Sequence, residues 1–191
     1  GMAQPAALPV DDVLCLMVQL LVALQCAHEQ GVWHRDIKPA NLMVTPEGRL
    51  KITDFGIARM SHTVEDAADA AAALPRGAGV MGSPGYLAPE CYRGGTRGDQ
   101  RADVYACGVL LFELLTGQRP YRASDRSAAG LRELGESLRI PKPSTVCGST
   151  ADAAAVAAAR GAGTAQLKRQ LTGDLDTIVG KALHADPARR Y

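Results

Sequence analysis

His34-Arg35-Asp36-Ile37-Lys38-Pro39-Ala40-Asn41, followed a little further on by Asp54-Phe55-Gly56, is the stretch on which the reading of the chain turns. Between the two clusters lie two short runs of strand-forming residues, Leu42-Met43-Val44 and Leu50-Lys51-Ile52. Thr45-Pro46-Glu47-Gly48 joins them, and its Pro and Gly favour a tight turn, so a small hairpin is predicted between the polar clusters.

Outward from this centre the pattern is helical. Asp11 to Gln30 predicts a helix, with Asp11 and Asp12 at the end where the peptide dipoles favour negative charge, and Gly31 just past its close. Val13, Leu14, Leu16, Met17, Val18, Leu20, Leu21, Val22 and Leu24 leave it little polar face, which predicts a central, enclosed helix. Asp103 to Thr116 has the same dense apolar spacing and ends at Gly117, so it reads as a second buried helix. Ser124 to Leu138 predicts a third, and Leu175 to Leu183 a last one before Asp186-Pro187. Residues 61–85, with an Ala-rich centre and Pro/Gly-rich flanks, read as a long surface loop. The Pro- and Ala/Gly-rich segment 141–165 reads as a flexible insert, part helix and part disorder.

With 191 residues, 47% of them hydrophobic and 21% charged, the chain fits one globular domain with a real core. A net charge of +1 gives no global field toward nucleic acid or anionic lipid, so phosphate recognition has to be local and no nucleic-acid partner is predicted. Polar residues interrupt the apolar runs, and no membrane-spanning segment is predicted. Cys15, Cys26, Cys91, Cys107 and Cys147 are odd in number and lack C-x-x-C pairing. They read as reduced and mostly packed, which predicts a cytoplasmic protein. His28, His62 and His184 share no metal-ligand spacing.

Phosphoryl transfer to a hydroxyl needs one carboxylate facing the attacking oxygen, with an amide and a second carboxylate as oxygen ligands for Mg²⁺. The loop supplies such residues in Asp36, Asn41 and Asp54. The spacing H-R-D-x-x-x-x-N, the D-F-G triplet and Ala88-Pro89-Glu90 together match the signature set of protein kinases. Any one tripeptide could arise by chance in an ordinary helical protein; all of them in this order is another matter. The chain resembles the C-terminal lobe of a eukaryotic-type Ser/Thr protein kinase of the bacterial class.

That resemblance implies a protein kinase-like fold of the α+β family, mainly α-helical here, with the short β-hairpin carrying the catalytic and DFG segments. It extends over residues 1–191, with the catalytic loop at 34–41, the DFG at 54–56 and the activation segment at 54–90. It implies ATP and Mg²⁺ as cofactors and protein Ser/Thr hydroxyls as acceptors. Asp36 would orient or accept the proton of the substrate hydroxyl, and Lys38 would neutralise charge on the transferring phosphate. Asn41 and Asp54 would bind Mg²⁺, while His34 and Phe55 would pack in the internal stack, with Gly56 completing the DFG. Ser83 and Tyr86 fall in the segment that would position the substrate, Ser83 standing where Thr is more usual. Glu90 would pair with Arg190, and Asp103 would hold the catalytic-loop backbone or cap its helix. Lys38 favours Ser/Thr over Tyr specificity.

Arg35 resembles the residue that, in many relatives, contacts a phosphate on the activation loop. Between Asp54 and Gly82 the hydroxyl side chains are Ser61 and Thr63 alone, both early, so control by phosphorylation is left open beside activation by dimerisation and constitutive activity with a flexible loop. No Gly-rich loop, strand Lys or helix Glu of the N-terminal lobe is present, which predicts weak Mg²⁺-ATP binding and poor turnover by this chain alone. The face that lobe would cover predicts an apolar patch and self-association through it. The rival reading is a catalytically idle, pseudokinase-like lobe that serves as a scaffold or protein-binding module.

Overall fold

The computed structural model describes residues 8–55, 85–92, 98–121, 140–148 and 153–191. The expected third helix and nearly all of the expected loop lie outside these residues. α1 spans Val10–Glu29 and carries Asp11 and Asp12 in its first turn. It closes where Gly31, at φ 70°, donates its N–H to His28 O at 2.9 Å. Its buried residues are Val10, Val13, Met17, Leu20 and Leu24, a stripe at spacings of three and four that lies on α2 (Gln100–Thr116).

The other side of α1 is open. Val18 is 60% exposed and Val22 61%, so the helix is half enclosed rather than enclosed. With apolar residues all round, nothing in its sequence marks the solvent side. By length and composition α1 could cross a bilayer, which the sequence expectation denied to every segment; its buried stripe is nonetheless spent on α2, the arrangement of a core helix. Cys15 and Cys26 are exposed on α1, against the expectation of mostly packed thiols, while Cys107 and Cys147 are buried.

α2 is the central element. Asp99 caps it by accepting the Arg101 N–H at 2.8 Å, and Gly117, at φ 77°, closes it with an N–H to Glu113 O at 2.8 Å. The helix therefore begins before Asp103, which lies in the first turn and is not the cap. Val109, Phe112 and Leu115 are wholly buried. Gly108 allows a close approach to α6 (Asp174–Ala182), since a Cβ there would stand 2.9 Å from that of Ala182.

Three short helices, α3 (Pro143–Val146), α4 (Ala153–Ala158) and α5 (Thr164–Leu171), precede α6. All three lie wholly or partly in the segment 141–165, expected as an insert of part helix and part disorder. Ser144 donates its N–H and its hydroxyl to Asp176 at 3.0 and 2.6 Å, tying α3 to α6. Arg160 is buried and donates to Leu114 O through Nε at 3.1 Å and Nη2 at 2.6 Å, and to Val156 O at 2.9 Å. A cation is favoured there by the negative end of α2. The described part of 141–165 is thus docked on the core.

β1 (Leu42–Val44) and β2 (Leu50–Ile52) pair antiparallel with Leu42 opposite Ile52 and Val44 opposite Leu50. Gly48, at φ 75°, takes the left-handed turn position. Gln19 of α1 fastens the hairpin, donating to Gly48 O at 3.2 Å and accepting from Leu50 N at 3.0 Å. The 3₁₀ turn Pro39–Asn41 leads directly into β1, so the hairpin and the loop before it share one support.

Candidate active site

Asp103 organises the loop from below. It is 1% exposed, and its Oδ2 accepts the His34 N–H at 2.9 Å while Oδ1 accepts the Arg35 N–H at 2.7 Å. His28, from the last turn of α1, meets the same Oδ2 through Nε2 at 2.8 Å. A buried carboxylate without partners would be costly; here three donors satisfy it and each is part of α1 or the loop. Arg35 accordingly sits at φ 65°, a left-handed conformation that a side-chain-bearing residue keeps only when its surroundings hold it.

His34 is fully buried. Its Nε2 faces Thr53 O at 2.9 Å and its Nδ1 faces the Asp36 N–H at 3.3 Å. A carbonyl accepts and an amide donates, so both contacts are met only by the neutral ring with the proton on Nε2. Its edge packs on Phe55, ring centres 4.7 Å apart. Through His34 the residue before Asp54 and the backbone of Asp36 are held together.

Asp36 lies at the centre of the polar groups. Lys38 Nζ donates to its Oδ2 at 2.6 Å, and Asn41 Nδ2 donates to its carbonyl at 2.8 Å and to Oδ2 at 3.2 Å. Because Asn41 spends Nδ2 on Asp36, its amide oxygen is the atom that can serve a cation. Asp54 is exposed and takes φ 61°, a second left-handed residue in the same short region. Hard oxygen donors on Asn41 and Asp54 suit Mg²⁺, which takes few protein ligands and keeps water. Gly56 and Ser83 lie outside the described residues.

Tyr86 is buried and donates a short hydrogen bond to Glu113 Oε2. Arg119 bonds Glu113 at 3.3 Å and stacks its guanidinium 4.7 Å above the Tyr86 ring. Burial, then the Glu113 hydrogen bond and charge, push the Tyr86 phenol well above its ordinary range, so it stays a donor. The segment expected to position substrate is therefore anchored to α2.

Glu90 and Arg190 form a bidentate pair at 2.7 and 2.8 Å. The remaining Arg190 donors go to Arg101 O at 2.9 Å, His184 O at 2.7 Å and Ala185 O at 3.2 Å, so all five N–H groups are used. The sequence singles out His28 only as a metal ligand to be dismissed, and gives no sign of Gln19, Glu113 and Arg119. No local spacing links them to the loop; their roles arise only when α1, α2 and the hairpin come together.

Compared with known proteins, the chain matches the model of the protein kinase domain over residues 3–191. A probable serine/threonine-protein kinase of Clostridium perfringens is 29% identical over 188 residues, 98% of this chain and 23% of that protein. One of Streptomyces coelicolor is 34% identical over 181 residues, 95% of this chain and 22% of that protein. Serine/threonine-protein kinase PknB of Mycobacterium tuberculosis is 35% identical over 169 residues, 88% of this chain and 22% of that protein. The chain spans less than a quarter of the length of these curated relatives.

Proposed function

The chain belongs to the protein kinase family, and from that premise we propose that it carries the phosphoryl-transfer centre of a Ser/Thr protein kinase. The observation that carries the reading is the Asp36 carboxylate, flanked by Lys38 at 2.6 Å and Asn41 at 3.2 Å on a loop held from below by Asp103. Kinases of this family use ATP with Mg²⁺, which supplies the phosphoryl group and shields its charge.

In this centre Asp36 accepts a hydrogen bond from the acceptor hydroxyl of a protein Ser or Thr and takes its proton as the oxygen bonds to the γ-phosphorus. The bond from that phosphorus to the β,γ-bridging oxygen breaks, and ADP leaves with the electron pair. Lys38, already beside Asp36, holds positive charge where the transferring group becomes more negative. Asn41 and Asp54 offer their oxygens to Mg²⁺. Asp103, through His34 and Arg35, keeps the loop from reorganising during transfer.

The metal assignment is tested by following phosphate transfer to a basic protein substrate by the intact protein as Mg²⁺ is varied. Asn41→Ala and Asp54→Ala should each raise the Mg²⁺ needed for half-maximal rate by at least about tenfold or abolish transfer, since losing even an outer partner of a metal ligand costs about 10–100-fold. An unchanged Mg²⁺ requirement in both would remove them from the metal site.

A further inference from the structure

We propose that Trp33 is a positioning residue of the catalytic loop, its indole face holding the Arg35 guanidinium and with it the turn that presents Asp36. This rests on the phosphoryl-transfer reading of the loop. Arg35 has φ 65°, and its N–H is held by Asp103 Oδ1 at 2.7 Å. The backbone is thereby fixed from one side. On the side-chain side, Arg35 Cζ lies 5.0 Å from the centre of the Trp33 ring, within the range where a guanidinium is attracted to an aromatic face.

Two details separate this from ordinary packing. Trp33 Nε1 and Arg35 Nε are both buried atoms, although each residue as a whole is half-buried, so the inner part of the contact is shielded from water. The Trp33 N–H also has no hydrogen-bond partner among the described residues, and a buried unpaired donor is unfavourable. Among the described residues the indole N–H thus fastens the loop to nothing, and the ring face is the part of Trp33 that meets Arg35. Because Trp33 directly precedes His34-Arg35-Asp36, loosening Arg35 acts on the backbone that carries Asp36 and so on the fit of its carboxylate to Lys38 and Asn41.

Phe at this position keeps an aromatic face and removes the unpaired N–H, whereas Leu keeps an apolar side chain and removes the face. Turnover and KM for protein phosphorylation are measured on the intact protein with wild type, Trp33→Phe, Trp33→Leu, Arg35→Met and the Trp33→Leu/Arg35→Met double variant. Trp33→Leu should lower kcat about tenfold with KM little changed, Trp33→Phe should retain most of the turnover, and the double variant should be no worse than Arg35→Met. Equal loss in Phe and Leu variants, or losses that multiply in the double variant, would overturn the proposal.

The same variants are compared by urea unfolding of the protein, which needs no activity. There the two single effects on the unfolding equilibrium should fall short of multiplying by about threefold or more, and strict multiplication would count against the contact. If every variant including wild type transfers no phosphate, the kinase reading fails, and the unfolding cycle still decides whether Trp33 holds Arg35.

Discussion

Glu90 and Arg190 stand 100 positions apart in the sequence and meet through two parallel hydrogen bonds of 2.7 and 2.8 Å. The guanidinium side chain is wholly buried and the carboxylate 18% exposed. Such a pair contributes little net stability compared with a well-packed apolar pair, yet removing one member strands the other. Glu90→Ala should therefore destabilise the fold by about 3–5 kcal/mol, read as a lower urea midpoint. Arg190→Lys should not rescue it, because a lysine ammonium has three donors against the five used here. A Glu90→Ala midpoint within error of wild type would show that the pair is dispensable.

Asp103 collects the His34 and Arg35 amides and the His28 ring on one carboxylate. Asn keeps one acceptor oxygen and places an amide donor against donors. Asp103→Asn should lower kcat more than it changes KM and destabilise by about 1–3 kcal/mol. His28→Ala removes one donor of three and should do less on both counts. Steady-state kinetics and urea unfolding read the two effects separately, and wild-type turnover in Asp103→Asn would detach it from the loop.

Stability should fall in alkali. Burial, reinforced by the Glu90 charge, pushes the Cys91 thiol up to about 11, and burial pushes the Tyr105 phenol up to about 12. Burial raises Cys107 in the same direction. Unfolded, a thiol ionises near 8.5 and a phenol near 10. Above about pH 9 the unfolded chain has lost protons that the folded protein still holds, so raising the pH favours unfolding. The urea midpoint should decline from about pH 8.5 to 10.5, less steeply in Cys91→Ala. An equal slope in that variant would exclude Cys91 as a source.

Thiol labelling should divide the cysteines the same way. Cys15 and Cys26 are exposed, whereas Cys107 and Cys147 are buried. At neutral pH the two α1 thiols should react rapidly with a thiol reagent in the native protein, and the buried pair only on unfolding. Fast native labelling of Cys107 would contradict its place in the core.

Gly108 sits where a methyl group would come within 2.9 Å of Ala182 Cβ and 3.0 Å of Leu183 Cδ2. Gly108→Ala should cost about 1–3 kcal/mol by overpacking α2 against α6, even though Ala is the better helix former. A stabilised variant would mean that the two helices can part without loss.

What the sequence disclosed follows from how far each signal reaches. Pro46 and Gly48 fix a turn locally, and Gly31 and Gly117 mark helix ends by their left-handed backbone, so those elements were legible. α2 begins three residues before its expected start because Asp99, not Asp103, caps it. The open face of α1 was not legible, since Val18 and Val22 look as apolar as Leu20 and only packing distinguishes them. Nor was the docking of Arg160 on Leu114 O, which belongs to a helix more than forty positions earlier. In the loop, the residue types of Asp36, Lys38 and Asn41 announced the chemistry, but the Asp103–His28 support and the Glu113–Arg119 anchor of Tyr86 depend on tertiary contacts that no spacing records.

The most direct measurement is the initial rate of γ-phosphate transfer from Mg²⁺-ATP to a Ser/Thr-containing protein by the intact protein, beside its Asp36→Asn variant, with the phosphorylated amino acid identified. Phosphate should appear on Ser or Thr, and the variant should be slower by about 10²–10⁴-fold with its fold intact. Transfer at the wild-type rate by Asp36→Asn, or no transfer by the intact wild type, would contradict a phosphoryl-transfer centre built on Asp36.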